Sequence, residues 1–192
     1  MKRFKHAALQ RIAETQQGLF TTRQAVEAGF RSHNHAHYVE GGHWVREHRG
    51  IYRLRQFSYE PPTEYTLWHL WACNRAGEPQ GVYSYDTALT IYDLSDLNPA
   101  KLHMTVPPNF RRSAEIPGIL VLHNAKLDAR DWNMIDAYRV TTPVRTLRDV
   151  IFSRHISEEF ICQTVREGFS RGMYPKRELK RYGILDLVQE YR

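Results

Sequence analysis

Polar side chains suited to contacting nucleic acid are concentrated between residues 31 and 49 of the chain. Asparagine can pair with adenine through two hydrogen bonds, and histidine or tyrosine can reach phosphates or base edges. We predict that four side chains of this segment face DNA bases: His33, Asn34, His37 and Tyr38. We predict that four others contact phosphates: Arg31, Arg46, His48 and Arg49. These residue types therefore favour double-stranded DNA as the ligand.

The segment from residue 18 to residue 54 predicts the elements that would position these side chains. Thr21 and Gln24 form a capping-box pattern that begins a short helix, and Gly29 is suited to end it. Ser32 can then cap a further helix. Two short helices joined by a turn are typical of a helix-turn-helix unit, whose second helix enters the major groove.

Helical spacing predicts which faces of these helices are buried. A first helix over residues 2–15 carries an apolar stripe made of Phe4, Ala8, Leu9 and Ile12. At about 100° per residue, the helix after Ser32 buries His35, Ala36 and Val39 and turns His33, Asn34 and His37 outward, with Tyr38 flanking them. A hairpin over residues 44–54 follows, with a basic turn ending in Gly50. Helices followed by a basic hairpin predict a winged helix.

Positive charge is concentrated in the same region. Residues 1–60 hold 10 Lys and Arg against 5 Asp and Glu, whereas residues 61–192 hold 17 against 16. Six of the ten histidines also lie in the first 60 residues. A basic segment beside a nearly neutral one is typical of phosphate contact, because each neutralised phosphate releases counterions.

Two prolines in Ser58–Pro62 predict a short, stiff linker between two domains. We predict a winged-helix domain over residues 1–57 and a mixed α/β domain over residues 63–192, with a helical tail from about residue 156. The predicted fold class is α+β. The predicted strands are 102–106, 119–123 and 138–141, and the predicted helices are 64–74, 142–152 and three more that begin after Ser84, at Ser157 and at Pro175.

The composition predicts a cytoplasmic protein. No apolar run approaches the ~18 residues that span a bilayer, and the first residues lead into no signal-peptide core. Cys73 and Cys162 lie far apart, with no spacing typical of a metal site. We expect both thiols to be reduced.

Four segments resemble the AbiEi family, the antitoxins of type IV toxin–antitoxin systems. The stretch from Gly18–Ala25 through Arg49–Tyr52 resembles its winged helix. Tyr83–Asp96, Leu102–Pro107 and Thr141–Asp149 are similar to three motifs that follow in the family in the same order. The resemblance covers about residues 5–155. Tyr85 and Tyr92 stand where the family often has histidine.

This resemblance implies a transcriptional autorepressor that also serves as an antitoxin. It implies a nucleotidyltransferase-type toxin as the functional partner, countered without a stable complex and with the help of the second domain. A stand-alone winged-helix regulator without a toxin is one alternative. The other is a nucleic-acid-processing enzyme whose winged helix positions the substrate.

Two sets of residues in the second domain are candidates for catalysis. Ser84 and Asp86 could join a histidine in a hydrolytic triad, but both fit helix capping and no nucleophile elbow is present. Asp96, Glu115 and Lys126 could form a nuclease set, but the acids are not paired on one strand. We therefore expect no enzyme activity.

Two spacings of four residues have binding interpretations. His33 and His37 could hold a metal on one helix face, although the sequence places no third ligand beside them. Arg145 and Asp149 could form an anion site, but a structural ion pair at the start of a helix is the simpler interpretation. We expect no cofactor and no metal.

Overall fold

The computed structural model describes residues 2–60, 63–112 and 115–191, which divide into two compact units. The first unit comprises Met1–Gln80 and Ile135–Tyr138, and the second comprises Gly81–Met134 and Arg139–Arg192. The first unit thus includes the helix that the sequence analysis placed at the start of the second domain. The predicted linker at Pro61 and Pro62 lies outside the described residues.

The first unit combines helices with a three-stranded antiparallel sheet. Its elements are α1 (Lys2–Glu14), β1 (Leu19–Thr21), α2 (Thr22–Glu27), α3 (His35–Glu40), β2 (Trp44–His48), β3 (Ile51–Leu54) and α4 (Thr63–Trp71). A 3-10 turn, Ser32–Asn34, precedes α3. The strand order is β1-β3-β2, with β3 antiparallel to both neighbours. Three helices and a hairpin in this order form the predicted winged-helix arrangement.

The start of α2 confirms the predicted capping box. The Thr21 hydroxyl accepts from the backbone N–H of Gln24 at 3.2 Å, and the Gln24 side chain accepts from the Thr21 N–H at 2.8 Å. Gly29 follows α2 with a φ of +94°, a conformation that favours glycine. The prediction that Ser32 caps the next helix is wrong. The chain takes a 3-10 turn there, and α3 begins only at His35.

Aromatic side chains fill the core of the first unit. Phe20, Phe30 and Trp44 are at most 2% exposed and pack against Leu9 of α1. The prediction that the apolar stripe of α1 is buried is therefore confirmed at Leu9. It is wrong at Phe4, which lies in the first turn beyond this core and is 82% exposed.

The second unit carries a five-stranded sheet and the remaining helices of the described chain. The strands are β4 (Val82–Tyr83), β5 (Leu102–Val106), β6 (Leu120–Asn124), β7 (Trp132–Ile135) and β8 (Tyr138–Thr141). The helices are α5 (Tyr85–Tyr92), α6 (Pro143–Ser153), α7 (Glu158–Ser170), α8 (Lys176–Arg181) and α9 (Leu187–Glu190). The order β6-β5-β4-β8-β7 mixes parallel and antiparallel pairs, since β5 is antiparallel to β4 and parallel to β6.

The α+β class with a helical tail is confirmed. The predicted strands at 102–106 and 138–141 match β5 and β8, and the helix predicted at Thr142 begins there, with the Thr142 side chain accepting from the Arg145 N–H. Four short elements, each of two to four residues, were not predicted: β1, β4, β7 and α9. They are too short to show a periodic pattern. The helix predicted at Pro175 is α8, whose N-cap residue is Pro175, and α9 follows it.

None of the described helices is long and apolar enough to cross a lipid bilayer. Cys73 and Cys162 are both free thiols. Cys73 is buried, whereas Cys162 is half-buried on α7.

The helical tail packs in one core with residues of α5 and α6, and Gly168 of α7 permits a close contact there. A Cβ atom at Gly168 would lie 2.0 Å from the ring of Tyr174. The Tyr174 ring is buried, and its hydroxyl donates to the Thr164 carbonyl at 3.1 Å. The ring therefore cannot withdraw from α7 without losing this hydrogen bond.

We expect Gly168→Ala to lower the free energy of unfolding by about 1–3 kcal/mol through overpacking. This loss should outweigh the helix propensity gained by replacing glycine, which is roughly 1 kcal/mol. Urea unfolding of the full chain measures the change. The exposed neighbour Glu167 provides the control, because Glu167→Ala should change stability by no more than about 0.5 kcal/mol. Equal or greater stability of Gly168→Ala would contradict the packing described.

Candidate functional site

The exposed side of α3 and its preceding turn carries three of the predicted base-facing residues. His33, Asn34 and His37 are all exposed. His35 points inward instead, 3% exposed, with its Nε2 atom 3.1 Å from the Phe30 carbonyl. Ala36 was predicted to be buried and is exposed, because the 3-10 turn changes the helical phase before α3 begins.

Tyr38 does not lie on this exposed face. Its ring stacks on Trp44 with a centroid distance of 4.8 Å and meets Phe30 edge-on at 5.1 Å. Its hydroxyl accepts from the Lys5 ammonium at 2.9 Å. The half-buried ring of Tyr38, which was predicted to face DNA bases, therefore packs α3 onto the hairpin.

The β2–β3 hairpin exposes two arginines. Arg46 and Arg49 are both exposed, and a register shift lies between Arg46 and His48. Glu47 points the other way and pairs with Arg53 at 2.7 Å, with both side chains less than 20% exposed. The acidic residue of the hairpin is thus already neutralised, so the exposed charge near its turn is positive.

His48 is half-buried and packs edge-on against Trp68 of α4, with a centroid distance of 5.3 Å. It was predicted to contact phosphates, and in the structure its ring packs against α4. Arg31, the remaining predicted phosphate contact, is exposed immediately before the 3-10 turn. Six of the eight predicted side chains therefore lie on exposed positions of the helix and hairpin.

A histidine–carboxylate cluster in the second unit was not predicted. Asp86 of α5, His103 of β5 and His155, which follows α6, each place one ligand atom within 4.8 Å of the others. Asp86 is 8% exposed, and His155 Nε2 makes a short contact with Asp86 Oδ1. The chain brings these residues together from positions up to 69 apart.

A third histidine and a tyrosine enclose this cluster. His123 Nε2 lies 3.2 Å from His103 Nδ1, and Tyr85 stacks on the His123 ring at 3.9 Å. Tyr85 adopts a φ of +50°, which is uncommon for a residue with a side chain and stores backbone strain. Such strain is often found at functional sites.

Burial keeps the inner histidines of the cluster neutral. Burial lowers the pKa of His103 and outweighs the nearby Asp86 carboxylate, which raises it. The neighbouring His155 also lowers the pKa. Burial, followed by the effects of His103 and His155, lowers the pKa of His123 to about 4. Both imidazoles are therefore in the uncharged form near neutral pH, the form that binds metal ions.

Asp86 was predicted from the sequence to cap a helix. Asp86 does meet a histidine, but Ser84 does not join them, because its hydroxyl accepts from Thr105 at 2.9 Å. In the proposed nuclease set, Asp96 instead accepts a hydrogen bond from Gln163 of α7 at 2.7 Å. Among the described residues, neither His33 nor His37 belongs to a cluster of three side chains that could hold a metal ion.

Arg145 forms the predicted ion pair with Asp149, within a larger network. Its Nε donates to both Asp149 oxygens at 3.0 and 2.8 Å, and one terminal nitrogen reaches Asp131 at 3.2 Å. Arg148 also reaches Asp149, and the Tyr182 hydroxyl donates to Asp131 at 2.6 Å. Although burial raises the pKa of Asp131, the Tyr182 hydrogen bond and nearby cations hold it below its usual value. The network joins α6 to the 3-10 turn Ala129–Asp131 before β7 and to the C-terminal end of α8.

Comparisons with known proteins found a likeness to solved structures but none to a family profile or a curated protein. No protein-family profile matches the chain, and no curated protein is similar to it. Among solved structures, it is similar to the crystal structure of the RV2827C protein from Mycobacterium tuberculosis. The TM-score is 0.49 at 12% sequence identity, over 94% of this chain and 75% of that one.

We expect Arg145→Leu to destabilise the second unit by about 3–5 kcal/mol, because it leaves two buried carboxylates without their shared cation. Chemical unfolding of the full chain measures the loss. Arg130→Leu removes the same charge from an exposed pair with Asp128 at 3.9 Å and should change stability by about 1 kcal/mol at most. Equal effects of the two substitutions would show that Arg145 does not hold this unit together.

Proposed function

We propose that the chain is a sequence-specific double-stranded DNA-binding protein that regulates transcription. The observation that carries this proposal is the exposed polar face of His33, Asn34 and His37 on a winged-helix unit. Side chains near the start of the second helix of a helix-turn-helix contact base edges in the major groove. Asn34 suits adenine there, and the two histidines can contact neighbouring base edges or phosphates.

The hairpin supports the same proposal through its charge. Arg46 and Arg49 are exposed at the wing, where such side chains contact phosphates or the adjacent minor groove. Arg31 lies exposed at the other end, before α3. Since five of the six net positive charges belong to residues 1–60, the electrostatic attraction for DNA would come mainly from this part of the chain.

Two half-buried side chains, Tyr38 and His48, have a positioning role in the proposal. Tyr38 stacks on Trp44 at the first residue of β2, and His48 packs on Trp68 of α4. The side chains proposed to contact bases are therefore His33, Asn34 and His37. Those proposed to contact phosphates are Arg31, Arg46 and Arg49.

The resemblance to the AbiEi family supports a narrower role within this proposal. We propose that the chain represses its own promoter and acts as the antitoxin of a nucleotidyltransferase-type toxin, without forming a stable complex with it. A cytoplasmic location, where promoter and toxin are both found, is part of that role. The second unit would supply the antitoxin activity, which the winged helix alone does not explain.

Replacing the two wing arginines tests the DNA-binding surface. Arg46→Ala/Arg49→Ala should weaken binding to any DNA and reduce the slope of log affinity against log salt concentration by up to about 2. Both effects follow from losing two phosphate contacts. Fluorescence anisotropy with a labelled promoter fragment across a salt series measures them.

Lys176→Ala/Arg177→Ala provides the matched control, because it removes two exposed positive charges from α8 of the second unit. Its salt slope should equal that of the parent chain. A slope that does not change in the wing variant, or that changes equally in both variants, would remove the wing from the DNA contact.

Antitoxin activity is tested by co-expression with a nucleotidyltransferase-type gene that neighbours the chain's own gene. We expect growth to recover when the chain is supplied from an unrelated promoter, because neutralisation should not require DNA binding. The wing variant should therefore rescue growth as well. The absence of such a gene, or toxicity unaffected by the chain, would leave a stand-alone regulator.

A further inference from the structure

We propose that Asp86, His103 and His155 bind one divalent transition-metal ion in the second unit. This site lies outside the winged helix and is independent of the DNA-binding proposal. Three features of the described residues support it: the chemistry of the ligands, their spacing, and the hydrogen bonds that orient them.

The ligand set favours a transition metal over Mg²⁺ or Ca²⁺. It offers one carboxylate oxygen from Asp86 and one imidazole nitrogen each from His103 and His155. Imidazole suits Zn²⁺, Fe²⁺, Ni²⁺ and Cu²⁺, whereas Mg²⁺ and Ca²⁺ prefer oxygen ligands alone. Two histidines and one carboxylate are a donor set found at zinc and iron sites that keep open coordination positions.

The spacing of the ligand atoms also fits. All three lie within 4.8 Å of one another. A tetrahedral ion with bonds of about 2.0–2.1 Å holds its ligands roughly 3.3 Å apart. The direct contact between Asp86 and His155 must therefore lengthen to admit an ion. His155 can supply this movement, since its side chain is 30% exposed and it lies in the irregular segment between α6 and α7.

Hydrogen bonds on the far side of the rings set their orientation. His155 Nδ1 lies 2.5 Å from the Ser153 hydroxyl, which in turn donates to the Val150 carbonyl at 2.9 Å. With Nε2 bound to a metal, Nδ1 carries the proton and donates it to Ser153, the arrangement common among metal-bound histidines. The ring of His155 is thus already held with Nε2 toward Asp86.

His103 is fixed from two directions. Its backbone N–H donates to the Thr87 hydroxyl at 2.7 Å, which fastens β5 to α5. Its Nδ1 faces His123 Nε2 at 3.2 Å, and Tyr85 covers the other side of the His123 ring. His123 is therefore a positioning residue for His103, since it contacts the ligand's ring on the side available for orientation.

An ion at this site would join three separate elements: α5, β5 and the segment after α6. With only three protein ligands, at least one coordination position would remain for water or a small anionic ligand. The partial exposure of His155 provides access from solvent. Binding should therefore stabilise the folded chain, because the unfolded chain does not hold these ligands together.

The experiment titrates the full-length chain, freed of any affinity tag and treated with a chelator, with Co²⁺ and then Zn²⁺. We expect a visible cobalt absorption band that saturates at one equivalent and disappears when Zn²⁺ displaces cobalt. Mg²⁺ should not compete. Zn²⁺ should also raise the melting temperature of the parent chain.

Variants assign the site to its residues. His155→Gln should weaken Co²⁺ binding at least ~100-fold, and His123→Ala about 10- to 100-fold, because the first loses a ligand and the second loses orientation. His155 is exposed enough that its variant should fold, and circular dichroism verifies this. His33→Ala/His37→Ala removes the i,i+4 pair of α3 and should leave cobalt binding unchanged.

Three outcomes would overturn the proposal. The first is no saturable cobalt band in the folded parent chain, which would leave Asp86 and His155 as a simple hydrogen-bonded pair. The second is binding that persists at full strength in folded His155→Gln. The third is binding that is lost in the His33→Ala/His37→Ala control, which would place the ion on α3 instead.

Discussion

The packing of Trp44 is the constraint on which the proposed DNA-binding surface depends. This side chain is 2% exposed at the start of β2, and its ring meets Phe20 of β1 at 4.8 Å, Tyr38 of α3 at 4.8 Å and His35 of α3 at 5.1 Å. Strand, helix and hairpin therefore share one aromatic centre. Because the inward side chains of α3 are fixed there, the direction of its exposed face relative to the wing is fixed as well.

The second unit assembles its chemistry from residues that are distant in the sequence. Asp86, His103 and His155 come from a helix, a strand and an irregular segment, and they meet because α5 packs on both β5 and α6. The Arg145 network connects α6 to the turn before β7 and to α8. Polar contacts therefore help to hold this unit together, and each buried charge depends on neighbouring groups that neutralise it.

The sequence predicted what is encoded locally. Three correctly predicted features depend on residues close together in the sequence. They are the capping box at Thr21, the helix begun by Thr142 and Pro143, and the hairpin over residues 44–54. It failed where tertiary packing decides the outcome. The 3-10 turn before α3 shifts the helical phase and exposes Ala36, and the aromatic centre draws in Tyr38. The histidine cluster had no local signal, because its ligands share neither a spacing nor an element.

The most direct test of the DNA-binding account is the affinity of the purified chain for its own promoter, measured against unrelated DNA across a salt series. The account predicts tighter binding to the promoter at every salt concentration, because base contacts from α3 add to phosphate contacts that both sequences share. Binding that is weak and equal for the two sequences would contradict it. The winged helix would then position the chain on nucleic acid or contact another protein, without reading a sequence.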